Sequence, residues 1–449
     1  MFNFLQKYLM GPMGKIAQLK IVRAVMAAGM ASIPFTIVGS MFLVLNILPV
    51  SFPALEGFFN ATFFKISDLY MIANTMTMGI LSIYFAFVFA YELTSIERDE
   101  QNLNVNPLMG ALLSIFAFFM CIPELVLKGG KIALVSSVTD TEHVVNGIRM
   151  GAFVDRLGTS GIFTGIIMSI IAVELYCMCV KRNLVIKMPD VVPAGVSRSF
   201  TALIPTFVIS FAVMVINGVL VALGTDIFKM IAIPFSFVTH LTNTWLGIMV
   251  IYFLIHALWI VGIHGANIIT SFLTPIVLAN MAANAQGANF PLAGEFNNSY
   301  VTVGGSGATL GLIIFIAFLA KSDQLKVLGK ASLVPGIFNI NEPIIFGMPI
   351  VYNPYLAIPF FLAPMASASI AYFAIKLEIV KPMLAQMPWP SPVGIGAFVG
   401  SGGDWKAAVL AVICAIIAFI IWFPFIKFYD NKLLSEEMTK AAELAAEKA

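Results

Sequence analysis

Apolar runs of about twenty residues, repeated along almost the whole chain, constrain this sequence more than any other feature. A helix needs roughly 20 apolar residues to cross about 30 Å of hydrocarbon. Clear runs lie at 24–48, 69–91, 107–124, 158–180, 201–223, 245–263, 300–320, 353–376 and 405–427. Two further stretches, 226–243 and 266–284, are apolar but interrupted by Pro234, His240, Pro275 and Asn280. Of the 449 residues, 60% are hydrophobic and only 11% charged, against roughly 25% charged in soluble domains. A water-soluble fold of this composition would expose apolar patches and aggregate; lipid solvates the same surface without cost. The formal net charge of +2 argues against a nucleic-acid partner.

Loop charge sets the orientation, because Lys and Arg beside a span stay cytoplasmic. Lys7, Lys15, Lys20 and Arg23 precede the first run, and Lys181, Arg182, Lys187 and Arg198 follow the fourth. Lys321, Lys326 and Lys330, then Lys427 and Lys432, close later ones. An even number of crossings must separate Arg198 from Lys321. One interrupted stretch therefore crosses, and the other is interfacial or re-entrant; the sequence does not choose between them. The expected fold is an all-α polytopic membrane protein of about ten transmembrane helices with re-entrant hairpins and amphipathic helices, both termini cytoplasmic. The first apolar segment reads as a retained anchor, not a cleaved leader.

The two halves differ. Residues 24–180 hold ordinary spans, whereas 245–403 are dense in Gly, Pro and Asn: GIHGAN (262–267), GGSGATLG (304–311), GIFNINEPIIFGMPIVYNP (336–354) and WPSPVGIGAF (389–398). Helix-breaking sequence at membrane depth is tolerated where it is buried in protein or lines a wet cavity, and transporters build binding sites from broken helices. The expected division is 1–223 as scaffold and dimerisation domain, 224–428 as transport domain, and 429–449 as cytoplasmic tail.

Glu342, in NINEPIIFGMP, is the sharpest candidate. A carboxylate at bilayer depth costs about 2.5–3.5 kcal/mol on insertion scales, so it should face partners or water. A carboxylate accepts hydrogen bonds from vicinal sugar hydroxyls, and the amides of Asn339 and Asn341 flank it. A structural hairpin with a paired or capping Glu is the blander alternative. His264 stands second: an imidazole that can bond a hydroxyl through either nitrogen, set between glycines that permit close backbone approach. His256, deeper in the same run, reads as structural; His143 and His240 carry no motif. Trp389 could stack on a pyranose face, though interfacial Trp is common in membrane proteins. GGSGATLG lacks the lysine of a phosphate loop and reads as close packing by small residues. Glu92, Glu124 and Glu174 lie near span ends, where a carboxylate snorkels or caps. Cys121, Cys177, Cys179 and Cys414 sit in apolar runs and read as buried thiols, with no metal-ligand spacing and no cofactor implied.

These stretches together resemble the membrane-embedded IIC component of the lactose, cellobiose and N,N'-diacetylchitobiose branch of the sugar phosphotransferase system. The likeness rests on KRNLVIKMPDVVPAGVSRSFTALIP, GIHGAN, GGSGATLGL, GIFNINEPIIFGMPIVYNPYLAIPF and the GAF…GGDW segment ending at Trp405, within 181–405. The resemblance implies a bacterial cytoplasmic-membrane homodimer whose transport domain binds one β-linked disaccharide and shifts as a body. It further implies that His264 and Glu342 hold the sugar near the hydroxyl that receives phosphate, with Asn341 and Trp389 as further contacts. The phosphate donor would be a separate cytoplasmic IIB subunit bearing a phosphocysteine, since this chain offers no phosphocarrier. On the residues alone an ion-coupled sugar symporter, with Glu342 carrying the proton, stays open. A non-transporting membrane enzyme or scaffold would leave the clustering of Gly, Pro and Asn without a reason.

Overall fold

The computed structural model describes residues 15, 18–123, 125–128, 131–134, 154–187, 200–348, 350–351 and 353–446. Lys7, Glu124, His143 and Arg198 lie outside the described residues. The main helices are α1 (Lys20–Ser51), α2 (Leu81–Gln101), α3 (Pro107–Phe119), α4 (Ile162–Lys181), α5 (Leu203–Ala222) and α6 (Ile227–Thr242). They continue as α7 (Trp245–Ile260), α8 (Gly265–Ala285), α9 (Leu310–Phe318), α10 (Asp323–Ile337), α11 (Glu342–Gly347), α12 (Pro354–Lys376), α13 (Ile395–Gly400) and α14 (Trp405–Ala446). Six stretches are long and apolar enough to cross a membrane: 20–46, 69–101, 162–181, 203–222, 355–376 and 405–440. Among the described residues the only β structure is a two-stranded hairpin, β1 (Leu125–Lys128) against β2 (Lys131–Leu134), with Leu125 opposite Leu134. It falls in a polar loop between apolar runs.

The chain divides into two compact units, 18–39 with 69–238, and 1–17 with 40–68 and 239–449. In the first, α2, α3 and α4 pack together through small residues, as helices do where lipid gives no hydrophobic drive for association. Asn106 caps α3 by accepting from the Met109 N–H, with Pro107 at the first helical position. A Cβ on Gly110 would sit 2.0 Å from the Thr94 hydroxyl, so only glycine lets α3 approach α2 this closely. The Ser114 and Ser169 hydroxyls bond across α3 and α4. Lys20 joins buried Glu97 and, at 2.7 Å, Glu174, so the carboxylate expected to snorkel or cap is ion-paired instead. All four cysteines are buried free thiols.

In the second unit α12 packs on α14, tied where the Ser367 hydroxyl donates to the Cys414 carbonyl at 3.2 Å. Helix α14 runs unbroken for 42 residues, with Pro424 inside it, so the charged tail continues the last apolar helix. Its far end reaches the start of α10. There Asp430, 3% exposed, accepts from the Lys321 and Ser322 N–H groups, and Glu437 accepts from the Ser322 hydroxyl and the Asp323 and Gln324 N–H groups. These are orphan donors of a helix N-terminus, with carboxylates at its positive end.

Two expected spans do not form as continuous α-helices: 69–91 is interrupted by a turn and the 3₁₀ turn Met78–Ile80 between Ser67–Thr75 and Leu81–Gln101, and 300–320 is broken more deeply. Within 300–320 the chain makes a π turn (Asn297–Val301), a loop, and only the nine residues of α9. The cause is GGSGA itself: Gly304, Gly305, Gly307 and Ala308 all have positive φ, a region a right-handed helix excludes. The two interrupted stretches, by contrast, both form helices, α6 and α8, the latter with Pro275 inside.

Candidate functional site

A loop of irregular backbone must have every N–H and C=O satisfied when water is excluded. The 302–309 loop meets that demand with side chains from four directions. Asn339 Oδ1 accepts from the Gly304 N–H at 2.7 Å. Asn341 Nδ2 donates to the Ser306 carbonyl at 2.6 Å and the Thr309 hydroxyl at 2.8 Å. The indole N–H of Trp422 donates to the Gly307 carbonyl at 2.8 Å, and His256 Nε2 accepts from the Gly307 N–H at 3.0 Å. The other nitrogen of His256 lies 2.6 Å from the Tyr252 carbonyl, which requires the proton on Nδ1. His256 is thus occupied at both nitrogens, which agrees with its structural reading.

The same ties explain what NINEP does. Its two asparagines are anchors: Asn341 turns its amide into the loop, and Asn339 also donates to the Trp389 and Ser391 carbonyls at 3.0 and 3.1 Å. Glu342, at the start of α11, is the polar residue of the motif that remains. Gly305 sits against this arrangement at φ 96°, where an added Cβ would lie 2.3 Å from the Asn341 side chain. Gly305→Ala is therefore expected to cost about 2–3 kcal/mol, from the left-handed backbone plus overpacking. Thermal unfolding in detergent checks this, and an unchanged midpoint would mean that Asn341 is not seated in the loop.

The structure brings His264 and Glu342 together. His264 occupies the break between α7 and α8, and its Nε2 lies 3.8 Å from Glu342 Oε1, an ion-pair separation longer than a hydrogen bond. The imidazole beside it, with N–H groups at the start of α11, holds the Glu342 carboxyl below the usual carboxylate range. The two side chains are 41% and 47% exposed, so the pair reaches the surface of the protein. Yet Glu342 Oε2 is shielded and has no hydrogen-bond partner. So is the indole N–H of Trp259, whose ring lies 4.3 Å from that of His264. One unanswered acceptor and one unanswered donor therefore flank His264, in an environment where unmade hydrogen bonds are costly. Trp259 was not singled out from sequence; the signal available was a single N–H donor five residues before GIHG, indistinguishable in a run of apolar residues from core packing.

Trp389, 44% exposed, does not join this pair. It sits in a tight crevice beside Glu295, Asn298, Ser299 and Ser391. Glu295 accepts from Asn298 Nδ2 at 2.7 Å and from Gln386 Nε2. The backbone N–H of Gln386 is held in turn by the Ser40 hydroxyl at 2.7 Å. Burial pushes the Glu295 carboxyl up to about 7. Glu295, Asn298 and Gln386 come from segments that carry no motif, and only folding assembles them. Among the described residues no three His, Cys, Asp or Glu side chains are placed to hold a metal ion.

With this geometry in hand, comparison with known proteins is informative. The family described as "Phosphotransferase system, EIIC" matches residues 26–364. The oligo-beta-mannoside-specific EIIC component of Bacillus subtilis (strain 168) is 32% identical over 99% of this chain and 98% of its own length. The cellobiose-specific EIIC component of Geobacillus stearothermophilus is 33% identical over 97% of this chain and 95% of its own. The crystal structure of the transporter ChbC, the IIC component from the N,N'-diacetylchitobiose-specific phosphotransferase system, superposes with a TM-score of 0.85 at 31% identity. That match covers 97% of this chain and 99% of the other.

Proposed function

The chain belongs to the EIIC family of the sugar phosphotransferase system, and on that premise we propose that it carries a β-linked disaccharide, such as cellobiose or N,N'-diacetylchitobiose, inward for phosphorylation. The observation that carries the reading is the His264–Glu342 pair, 3.8 Å apart and half-exposed, with an unpartnered carboxylate oxygen and indole N–H beside it. A sugar ring supplies what such a pair lacks: vicinal hydroxyls that donate to the carboxylate and accept from imidazole and indole.

Glu342 orients the hydroxyl that attacks phosphorus and draws on its proton, while His264 steadies the charge that develops. Asn341 acts through Glu342, by fixing the start of α11 to the 302–309 loop. Trp389 offers a face for stacking. The phosphate arrives on the phosphocysteine of a separate cytoplasmic IIB subunit. In this reading residues 224–428 form the transport domain, residues 1–223 the scaffold and homodimer contact, and the chain makes about ten crossings with both termini cytoplasmic.

Reconstituted vesicles test the coupling. With phosphoenolpyruvate and the soluble partner subunits on the cytoplasmic side, labelled disaccharide should accumulate there as its phosphate. Without them, accumulation should fall to the level of empty vesicles whether or not a proton gradient is imposed. Uptake of unmodified sugar driven by a pH gradient would instead make the protein a symporter.

A further inference from the structure

The segment WIVGIHG (259–265) joins α7 to α8, and its backbone explains why His264 lies against Trp259. Helix α7 ends in a pair of hydrogen bonds. The Ile263 N–H donates to the Leu258 carbonyl at 3.0 Å, and the Gly262 N–H to the Trp259 carbonyl at 2.9 Å. Gly262, at φ 82°, supplies the left-handed residue that such an ending requires. The chain turns back, and α8 starts hard against α7: a Cβ on Gly265 would sit 2.0 Å from the Ile255 carbonyl oxygen. The two glycines of the motif thus have separate tasks, and together they bring the residue near them over the last turn of α7.

There the imidazole meets the indole of Trp259, with ring centroids 4.3 Å apart and planes at 46°. Rings that meet edge to edge keep their centroids farther apart, so this contact involves a ring face. Trp259 is itself held, 3% exposed at the end of α7. The same indole meets Phe346, with 6.4 Å between centroids. Phe346 stands four residues after Glu342 in α11, hence on the same face of that helix. One buried ring therefore touches His264 and the helix that carries Glu342, all within one compact unit.

The spacing of the pair then has a cause. A charge-assisted N–H···O bond closes to about 2.7–2.9 Å, whereas His264 Nε2 and Glu342 Oε1 stand 3.8 Å apart. Two atoms at that separation can both reach one hydroxyl oxygen at about 2.8 Å, the imidazole donating and the carboxylate accepting. We propose that Trp259 is the positioning residue of this pair: its ring holds the imidazole back from Glu342, so that a single sugar hydroxyl can bridge the two. This rests on the reading of His264 and Glu342 as the groups that hold the sugar. The role belongs to the flat ring and is separate from any bond made by the indole N–H.

The test compares Trp259→Phe, which keeps a flat ring, with Trp259→Met, which fills space without one; both lack the indole N–H. Each full-length variant is titrated with and without His264→Ala, using whichever of cellobiose and N,N'-diacetylchitobiose the wild type binds. His264→Ala should cost at least tenfold in affinity in the wild type and in Trp259→Phe. In Trp259→Met, where the imidazole is no longer held in place, it should cost less than twofold. A tryptophan that only supported the fold would lower the affinity of Trp259→Met yet leave the cost of His264→Ala unchanged, and that result would overturn the proposal. Trp259→Leu, a non-aromatic side chain of different shape, should repeat the methionine result and carries the comparison if Trp259→Met does not fold. If the wild type binds neither sugar, or loses nothing with His264→Ala, the functional reading fails and takes this proposal with it.

Discussion

Replacing Glu342 by glutamine is expected to weaken disaccharide binding by about 10- to 100-fold, since a hydrogen bond to a charged group contributes about 1.5–3 kcal/mol. Glutamine keeps the volume and one carbonyl acceptor but removes the charge and places an N–H₂ group where an acceptor stood. The shielded Oε2 of Glu342 has no partner within the protein, so the change should cost the unliganded fold little. His264→Ala should weaken the same sugar, and the double variant should lose less than the two single losses multiplied. Groups that act on one hydroxyl are not independent. Calorimetric titration reads all three. Full additivity, or an unchanged affinity in Glu342→Gln, would separate the pair from the sugar.

The second large effect concerns stability. Asp430→Ala is expected to lower the unfolding free energy by about 3 kcal/mol, because it leaves two N–H groups at the head of α10 without acceptors at a position closed to water. Asp430 is 3% exposed and bonds the Lys321 and Ser322 N–H groups at 2.9 Å. Glu437→Ala, at a site open to solvent, should have a smaller effect although it also removes hydrogen bonds to this helix start. Denaturant titration in detergent orders the variants. A stronger effect at Glu437 than at Asp430 would show that burial is not what makes the clamp matter. Helix α10 ends just before Asn339, so the loosened variant should also bind sugar less well.

The two strongest candidates stand out in the sequence because each violates the pattern around it. A carboxylate among apolar residues and an imidazole between glycines stand out at membrane depth, and the fold brings them within 3.8 Å. His256 lacked such flanking signals, and its two internal bonds agree with that. The limits are as instructive. Hydropathy alone joined 300–320 into one span, whereas four positive-φ residues divide it; apolarity reports the solvent of a segment and not its backbone. Asn339 and Asn341 read as potential donors to a sugar, and their amides are largely spent on the 302–309 loop and the 389–391 segment. Glu295 was invisible for a different reason. Its neighbours Gln386 and Trp389 are brought near it only by the tertiary fold.

The proposed function stands on one contact, between the Glu342 carboxylate and the sugar hydroxyl that would carry phosphate. A cycle that changes both partners measures it: the disaccharide and its analogue with that hydroxyl replaced by hydrogen, each titrated into wild-type and Glu342→Gln protein. The wild type should lose at least tenfold in affinity on deoxygenation, and the variant should lose no more than about twofold, a coupling of about 1 kcal/mol or more. If deoxygenation costs the variant as much as the wild type, Glu342 does not touch that hydroxyl.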